Sequence, residues 1–469
     1  MTASGAREFI VAAKGGLDVD RYLKGLMESF VPHASRLNLF SSIATDAAAG
    51  SGGQLFGLPF SVKDNICAKG FPTRAGSRIL EGYIPPFDST VVGRMKAAGG
   101  SFIGATNMDE FGFGTFSTNC GFGAPKNPFD EARSCGGSSG GAAGTTAVLR
   151  HHVAIAESTG GSISCPATFC GVVGLTPTYG RISRYGLIDY ANSLDKIGLM
   201  GRCVDDIALT LPIISGRDRR DATSLAQPEL SISDEKVKSI ALPEELISGI
   251  PDKRISSRFT AAMKSLEESG IEVASVSMPI LKYSIPAYYI LACAEASTNL
   301  AKYCGMRYGK ANRHYEKMYD EFFTEVRTEG FGVEAKRRLM LGTYARMAGY
   351  RDQYYMKALR VRARIVESYV QVFRDHDIVA TPTMPLLPPR FEEISAMTPA
   401  TVYALDFLTV PPNLAGIPQL SLPMGYIDGL PMGMHFMAGH WQESKLLSMG
   451  RAWESKVQYE FPLSLEGPR

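Results

Sequence analysis

The sequence predicts a layered α/β fold, because segments with helical periodicity alternate along the chain with short apolar segments typical of strands. The chain has 469 residues, 45% of them hydrophobic and 20% charged, as in an ordinary globular protein. At roughly 150 residues per domain the length would allow three domains. No internal repeat or low-complexity linker divides the chain, and we therefore expect a single domain over residues 1–469.

The first predicted helix begins after Asp18, a residue type that accepts hydrogen bonds from the first backbone N–H groups of a helix. Apolar residues then recur three and four positions apart, at Val19, Tyr22, Leu23, Leu26, Met27 and Phe30. Further helices are predicted at 89–98, 259–269, 351–374 and 443–458, and strands at 102–105, 271–276, 378–381, 421–422 and 432–437.

The balance of charge and the cysteine content exclude several classes of protein. The chain has 49 Lys and Arg residues against 47 Asp and Glu, a net charge of +2. A protein that binds DNA directly has a surface dense in basic residues, so the composition argues against this class. No apolar run reaches the roughly 18 residues of a membrane-spanning helix, and no secretory signal is visible. The eight cysteines are widely spaced and form no C-x-x-C motif, so we expect a cytoplasmic protein without a zinc ribbon.

Residues 135–180 differ from the rest of the chain, because Arg150 and Glu157 are their only formal charges and glycine and serine are abundant. A flexible linker of this glycine content would be polar and solvated. We predict that this segment is neither a regular helix nor a regular strand. It would be buried, tightly turned backbone around a functional site.

Common cofactor motifs are missing from the sequence: there is no GxxxxGK[ST], no GxGxxG and no HExxH. The adjacent His151 and His152 would point to different faces of an element, so they are expected to be structural and no metal site is predicted. Residues 136–140 do match the G-x-S-x-G nucleophile elbow. That elbow requires a preceding strand, yet the residues before it are predicted to be loop. His435 or His440 would have to complete the triad.

Three other motifs form a more specific pattern: Lys63 in GLPFSVKDN, Ser138 and Ser139 in CGGSSGG, and Ser162 in STGGSISCPA. This pattern and its spacing resemble the amidase signature family, and the resemblance continues through 170–187 to the C-terminus. It implies a layered α/β/α fold with a central mixed β-sheet flanked by helices. The signature core would span about 57–205 and the substrate-pocket part about 280–440.

The resemblance implies a catalytic unit of Lys63, Ser138 and Ser162, with a cis peptide bond between Gly137 and Ser138. Ser162 would be the nucleophile, which needs a base to take its proton. Lys63 would be that base through Ser138, since burial among few carboxylates favours the neutral amine. Ser139 would support the serine pair. The oxyanion hole would consist of backbone N–H groups, each worth on the order of 3 kcal/mol, in Thr159, Gly160, Gly161 and Ser162.

The chain departs from the family pattern at two positions. Ser158 and Ser164 stand where the family commonly has Asp and Arg in Asp-Thr-Gly-Gly-Ser-Ile-Arg. An acid and a base are therefore missing together. Our hypothesis is that hydroxyl hydrogen bonds replace a structural salt bridge around the oxyanion loop.

Residues 330–355 and 403–423 are similar to the glutaminase subunits of tRNA-dependent amidotransferases within this family. The similarity implies that Arg338 binds the α-carboxylate of glutamine, that Asp406 binds its α-ammonium and that Tyr289 lines the pocket. A guanidinium pairs bidentately with a carboxylate, and opposite charges suit a zwitterionic substrate. The alternative is that Arg337 and Arg338 belong to a solvated helix face.

By this resemblance the protein would hydrolyse glutamine to glutamate and ammonia. Two further subunits would complete a heterotrimer, in which a partner uses ATP and Mg²⁺ to amidate Glu-tRNA(Gln), Asp-tRNA(Asn) or both. This chain would need no cofactor of its own, bind tRNA mainly through the partner, and contact neither membrane nor DNA. The open alternatives are a stand-alone hydrolase of small amides and a non-catalytic scaffold subunit.

Overall fold

The computed structural model describes residues 5–44, 50, 53–224, 226–310 and 318–468. The strands are β1 Phe40–Ile43, β2 Pro59–Lys63, β3 Ser101–Thr106, β4 Lys126–Asn127, β5 Asp130–Ser134, β6 Val153–Ser158, β7 Val173–Thr176, β8 Lys196–Gly201, β9 Ser239–Pro243, β10 Glu272–Val276, β11 Ile378–Pro382, β12 Gln419–Ile427 and β13 Leu430–Ala438.

The helices are α1 Ala6–Lys14, α2 Val19–Arg36, α3 Thr90–Ala97, α4 Gly140–Val148, α5 Ser164–Phe169, α6 Val204–Ile214, α7 Glu244–Ile247, α8 Lys253–Glu267, α9 Ser284–Asn299, α10 Tyr319–Gly330, α11 Val333–Arg346, α12 Tyr355–Asp375, α13 Phe391–Ser395, α14 Pro399–Ala404, α15 Val410–Ala415 and α16 Glu443–Glu454. None of the helices in these described ranges combines the length and apolar composition that spanning a bilayer requires.

Eleven strands form one mixed sheet in the order β1-β3-β2-β6-β8-β7-β12-β13-β11-β9-β10, and β4 and β5 form a separate hairpin. Strand β2 runs parallel to β3 and β6, whereas β6, β8, β7, β12, β13 and β11 alternate in direction. The sheet is flanked by helices, which confirms the predicted fold class. The single-domain boundary and its division into core and pocket parts stay predictions.

Local sequence signals explain most of the element boundaries. Asp18 accepts a hydrogen bond from the Arg21 backbone at the start of α2, as predicted. Ser89 caps α3, and the chain leaves that helix at Gly99 with a positive φ of 84°. Helix α8 begins six residues before the predicted start, because Asp252 caps it there and the early turns are polar.

The prediction for residues 135–180 is wrong about secondary structure. The segment contains α4, β6, α5 and β7, and it is almost entirely buried. Strands β6 and β7 lie within the large sheet, and helices α4 and α5 are buried against it, so none of the four shows polar and apolar alternation. The glycines allow close packing: a Cβ at Gly141 would lie 2.3 Å from the Leu39 carbonyl oxygen.

The predicted loop before the G-x-S-x-G match is also wrong. Residues 130–134 form β5, which pairs with β4 in a half-exposed hairpin. Its residues are DEARS, which have low strand propensity, so composition alone favoured a loop. This hairpin is outside the large sheet, unlike the strand that precedes a nucleophile elbow.

Candidate active site

Two neighbouring strands bring a lysine and a glutamate together. Lys63 is the last residue of β2, and Glu157 is the penultimate residue of β6. The strands pair in parallel, with Val62 opposite Ile155, so their carboxyl ends meet at one edge. The Lys63 Nζ atom lies 2.8 Å from Glu157 Oε2, and both side chains are almost fully buried.

The Lys63 amine makes three close contacts. It lies 2.7 Å from Ser138 Oγ, 2.8 Å from the Glu157 carboxylate and 3.0 Å from the Glu157 carbonyl oxygen. The Gly137–Ser138 peptide bond is cis, as the family resemblance implies. Ser139 donates a hydrogen bond to the same Glu157 carbonyl at 3.1 Å, so Lys63, Ser138 and Ser139 do lie together.

The expectation that Lys63 lies among few carboxylates is wrong, because the Glu157 carboxylate contacts its amine directly. Glu157 had no role among the predicted site residues, although it is the single acid between residues 135 and 180. That isolation was the signal in the sequence, because a single acid in a buried segment whose only other charge is Arg150 requires a partner.

The Thr159–Ser162 loop joins β6 to α5 and is tightly packed. A Cβ at Gly160 would lie 3.0 Å from Tyr288 Oη, and one at Gly161 only 2.3 Å from Thr409 Oγ1. The Gly161 carbonyl accepts a 2.8 Å hydrogen bond from the Cys165 backbone, which fixes the loop at the start of α5. Both glycines are therefore required by close neighbours, and the oxyanion role of this loop stays a prediction.

Ser162 lies five residues after Glu157 and keeps 6% of its surface exposed, whereas Ser138 is fully buried. This difference agrees with the predicted roles, in which Ser162 contacts the substrate and Ser138 relays a proton inside the protein. The contact between the two serines stays a prediction.

The two serines that replace the usual acid and base bond to separate partners. Ser158 Oγ donates to the Gly160 carbonyl at 3.2 Å, and Ser164 Oγ lies 3.5 Å from His435 Nε2. His435 also contacts Gln419 at 2.9 Å, and burial lowers the pKa of its imidazole to about 3. The histidine is therefore neutral, and our hypothesis that hydroxyl hydrogen bonds replace a salt bridge stays a prediction.

Arg338 lies on α11 and is buried, with only 3% of its surface exposed. Its Nε donates to Glu334 at 2.8 Å and its Nη1 donates to Tyr190 Oη at 2.8 Å. Four aromatic rings surround the guanidinium at 5.2–5.8 Å, those of Phe113, Tyr190, Tyr289 and Tyr403. The alternative of a solvated helix face is therefore wrong for Arg338.

Asp406 and Tyr289 lie together, as the similarity implies. Tyr289 Oη donates to Asp406 Oδ2 at 2.9 Å, and Thr115 Oγ1 donates to the same oxygen at 3.1 Å. Burial raises the pKa of Asp406 to about 6. The Tyr289 ring lies 5.2 Å from the Arg338 guanidinium, so the structure groups all three predicted substrate-binding residues.

Next to this group is a cavity of about 370 Å³. Thr115, Glu334, Arg338 and Tyr403 are among the residues that line it. Its volume is at the lower end of the range of small-molecule sites. The cavity therefore fits a substrate of amino-acid size.

Gly112 lies between the lysine–serine pair and Tyr190. A Cβ there would lie 3.5 Å from Ser138 Oγ, 3.6 Å from Glu157 Oε2 and 3.7 Å from the Tyr190 ring. Tyr190 in turn contacts Arg338. Tyr190 was not among the predicted site residues, because an isolated tyrosine distant in sequence from both groups belongs to no motif.

The histidines do not support the competing serine-hydrolase interpretation. His440 bonds to the Ala415 carbonyl at 3.0 Å, and His435 contacts Gln419 and Ser164; Ser138 instead contacts a lysine. His151 and His152 contact Tyr22 and Ser61, and no group of potential metal ligands occurs among the described residues.

The Lys63–Ser138 contact and the cis peptide bond before Ser138 match the arrangement that the family resemblance implies. A model of the amidase family matches residues 25–447, so the chain belongs to that family. Among curated relatives, the A subunit of glutamyl-tRNA(Gln) amidotransferase from Archaeoglobus fulgidus is 43% identical over 426 residues, which are 89% of this chain and 92% of the relative. Its counterpart of the same name from Carboxydothermus hydrogenoformans is 42% identical over 96% of this chain and 94% of its own.

Solved structures of related proteins have a similar fold. The A subunit of glutamyl-tRNA(Gln) amidotransferase from Thermotoga maritima matches with a TM-score of 0.83 and 35% identity, covering 95% of both chains. The peptide amidase from Stenotrophomonas maltophilia matches with a TM-score of 0.79 and 28% identity, covering 97% of both chains.

Proposed function

We propose that this protein is the glutamine-hydrolysing subunit of a tRNA-dependent amidotransferase. The observation that carries the proposal is that Arg338 and Asp406, two buried groups of opposite charge, share Tyr289 as a neighbour: its ring lies 5.2 Å from the Arg338 guanidinium and its hydroxyl donates to Asp406. A zwitterionic amino acid needs both charges, whereas a neutral amide needs neither. The curated relatives bear the matching name.

In the proposed reaction Ser162 attacks the side-chain amide carbon of glutamine. Its proton passes to Ser138 Oγ while the Ser138 proton passes to the neutral amine of Lys63. The N–H groups of the Thr159–Ser162 loop stabilise the oxyanion. The proton then returns to the leaving nitrogen as ammonia departs, and water hydrolyses the glutamyl ester.

The remaining steps belong to other subunits. We propose that ammonia reaches a partner that uses ATP and Mg²⁺ to amidate a misacylated tRNA, within a heterotrimer. The near-neutral charge of this chain suits a subunit that leaves most tRNA contact to its partner. We propose that no cofactor binds to this chain and that it works in the cytoplasm, where its eight free cysteines would stay reduced.

The deciding experiment is purification of the native assembly, identification of its subunits and an ammonia assay with glutamine. We expect Ser162→Ala to lower ammonia release by several orders of magnitude, since a nucleophile and its base act as a unit. Unchanged release would instead support a non-catalytic scaffold. Rapid turnover of aryl or aliphatic amides by the isolated chain would support a stand-alone amidase.

A further inference from the structure

Three oxygens surround the amine of Lys63. Ser138 Oγ, the Glu157 carbonyl oxygen and Glu157 Oε2 all lie within hydrogen-bond distance of Nζ. An ammonium has three N–H donors and donates to all three oxygens, Ser138 included. A neutral amine has two N–H donors and a lone pair, so it donates to the two Glu157 oxygens and accepts from Ser138, as a general base must.

Glu157 supplies the carboxylate that contacts the Lys63 amine. Besides Lys63, it accepts hydrogen bonds from Asn65 Nδ2 at 3.2 Å and Thr159 Oγ1 at 2.7 Å. Thr159 Oγ1 also lies 2.8 Å from Asp195 Oδ1, and one hydroxyl proton serves only one carboxylate. Burial, and then the charge of Glu157, raise the pKa of Asp195.

The other ionisable groups around the pair come from two segments. Asp109 is fully buried, and burial raises its pKa to about 6; it bonds to backbone N–H groups of Ser117 and Asn119. Tyr190 and Asp195 come from the segment before β8, and burial raises the pKa of the Tyr190 phenol. Of these carboxyl groups, only that of Glu157 has a hydrogen bond to the lysine in the described part of the chain.

We propose that Glu157 is a positioning residue that holds Lys63 as an ammonium in the resting site and thereby sets the pH above which the serine relay works. The inference rests on the proposed glutaminase function. A carboxylate at 2.8 Å favours the ammonium form of the lysine. Lys63 must therefore lose one proton to solvent before Ser138 can pass it another.

Once Lys63 has lost that proton, every proton transferred and every bond formed or broken in the reaction is accounted for. Ser162 gives up its O–H proton as its oxygen bonds to the amide carbon, and the carbonyl electron pair moves to oxygen. Ser138 receives that proton and passes its own to the Lys63 amine, which becomes an ammonium again. As the tetrahedral intermediate collapses, Lys63 returns one proton through Ser138 to the amide nitrogen, the C–N bond breaks and ammonia leaves.

The test is the pH dependence of kcat for ammonia release by the full assembly at saturating glutamine, from about pH 6 to pH 10, because the titration of Asp406 acts on KM. We expect the activity of the native protein to rise with pH. The pH range of this rise, called the limb below, is set by the Lys63–Glu157 pair. Glu157→Gln keeps the size of the side chain and removes its charge. We expect the limb to move to lower pH by roughly one to three units, with the high-pH plateau preserved.

Two further substitutions separate charge from shape. Glu157→Asp keeps the charge, and its limb should stay close to the native position. Glu157→Ser is uncharged and smaller, so it should shift the limb like Glu157→Gln and replaces that variant if the latter fails to fold. A limb that stays in place or moves to higher pH in both uncharged variants overturns the proposal, as does an equal loss of activity at every pH.

A matched control comes from the Arg181–Glu443 pair, which is equally buried and joined at 2.9 Å but has no contact with Lys63. Glu443→Gln removes one buried charge there, and the limb should not move. If the native assembly shows no glutaminase activity, the proposed function fails. The limb is then measured with a small aryl amide, and inactivity toward both substrates overturns both proposals.

Discussion

Arg338 donates a hydrogen bond from Nη1 to the hydroxyl of Tyr190 at 2.8 Å, although the two residues lie 148 positions apart. This bond joins the proposed carboxylate-binding end of the pocket to the Tyr190 ring, which lies near Gly112, Ser138 and Glu157. Arg338 is thus oriented from two sides, by Glu334 on its own helix and by Tyr190 from the segment before β8.

Tyr190→Phe removes this bond without changing the ring. We expect KM for glutamine to rise about 10- to 100-fold with a smaller change in kcat, because hydrogen bonds to charged groups are worth roughly 1.5–3 kcal/mol. Steady-state kinetics of ammonia release measure both constants. Tyr369→Phe is the control, since Tyr369 is fully buried and its hydroxyl faces Met437; an equal rise in KM there would contradict the prediction.

Asp406 makes glutamine binding sensitive to acid. Burial raises its pKa to about 6, so the carboxylate is ionised at pH 7 and gains a proton as the pH falls below 6. A protonated Asp406 cannot pair with the α-ammonium of glutamine. We expect KM to rise about tenfold between pH 7 and pH 5.

The control for this pH effect is Asp406→Asn, which cannot ionise. Its KM should be high at pH 7 and nearly constant down to pH 5. The two profiles should therefore converge at low pH. If the native KM stayed flat over this range, Asp406 would not be the group that holds the ammonium.

The sequence predicted the α/β class, the helices that start at Asp18 and Ser89, and a lysine close to Ser138. These features depend on local periodicity, on capping residues and on motifs that a family shares. The contact of Glu157 with Lys63 could not be predicted in this way, because it depends on the register of β2 against β6. The same limit applies to the internal elements of residues 135–180, whose burial on all sides removes periodicity.

Gly161 should tolerate no side chain. A Cβ there would lie 2.3 Å from Thr409 Oγ1 and 2.8 Å from Thr409 Cβ, so either the loop or α15 must shift. We expect Gly161→Ala to lower kcat about 100-fold or more by displacing oxyanion donors. It should also reduce the free energy of unfolding by roughly 1–3 kcal/mol.

Adding Thr409→Gly removes the colliding atoms, so the double variant should be more stable than the sum of the two single effects indicates. Gly93→Ala is the control, because a Cβ there meets nothing within 4 Å and lies in a helix. It should be neutral or stabilising by up to about 1 kcal/mol. Urea unfolding measures the free energies of unfolding of the two single variants and the double variant. If the two single effects simply add up in the double variant, the predicted collision does not occur.

Ser158 and Ser164 test whether an ion pair can be restored around the oxyanion loop. Both are buried, and each bonds to its own partner, the Gly160 carbonyl and His435. Ser158→Asp or Ser164→Arg alone buries one unpaired charge, which should lower the free energy of unfolding by roughly 3–5 kcal/mol or reduce activity strongly. Together the charges can pair, so the double variant should be better tolerated than either single variant. Equal losses in all three, measured by urea unfolding and ammonia release, would show that the hydroxyl bonds do not substitute for a salt bridge.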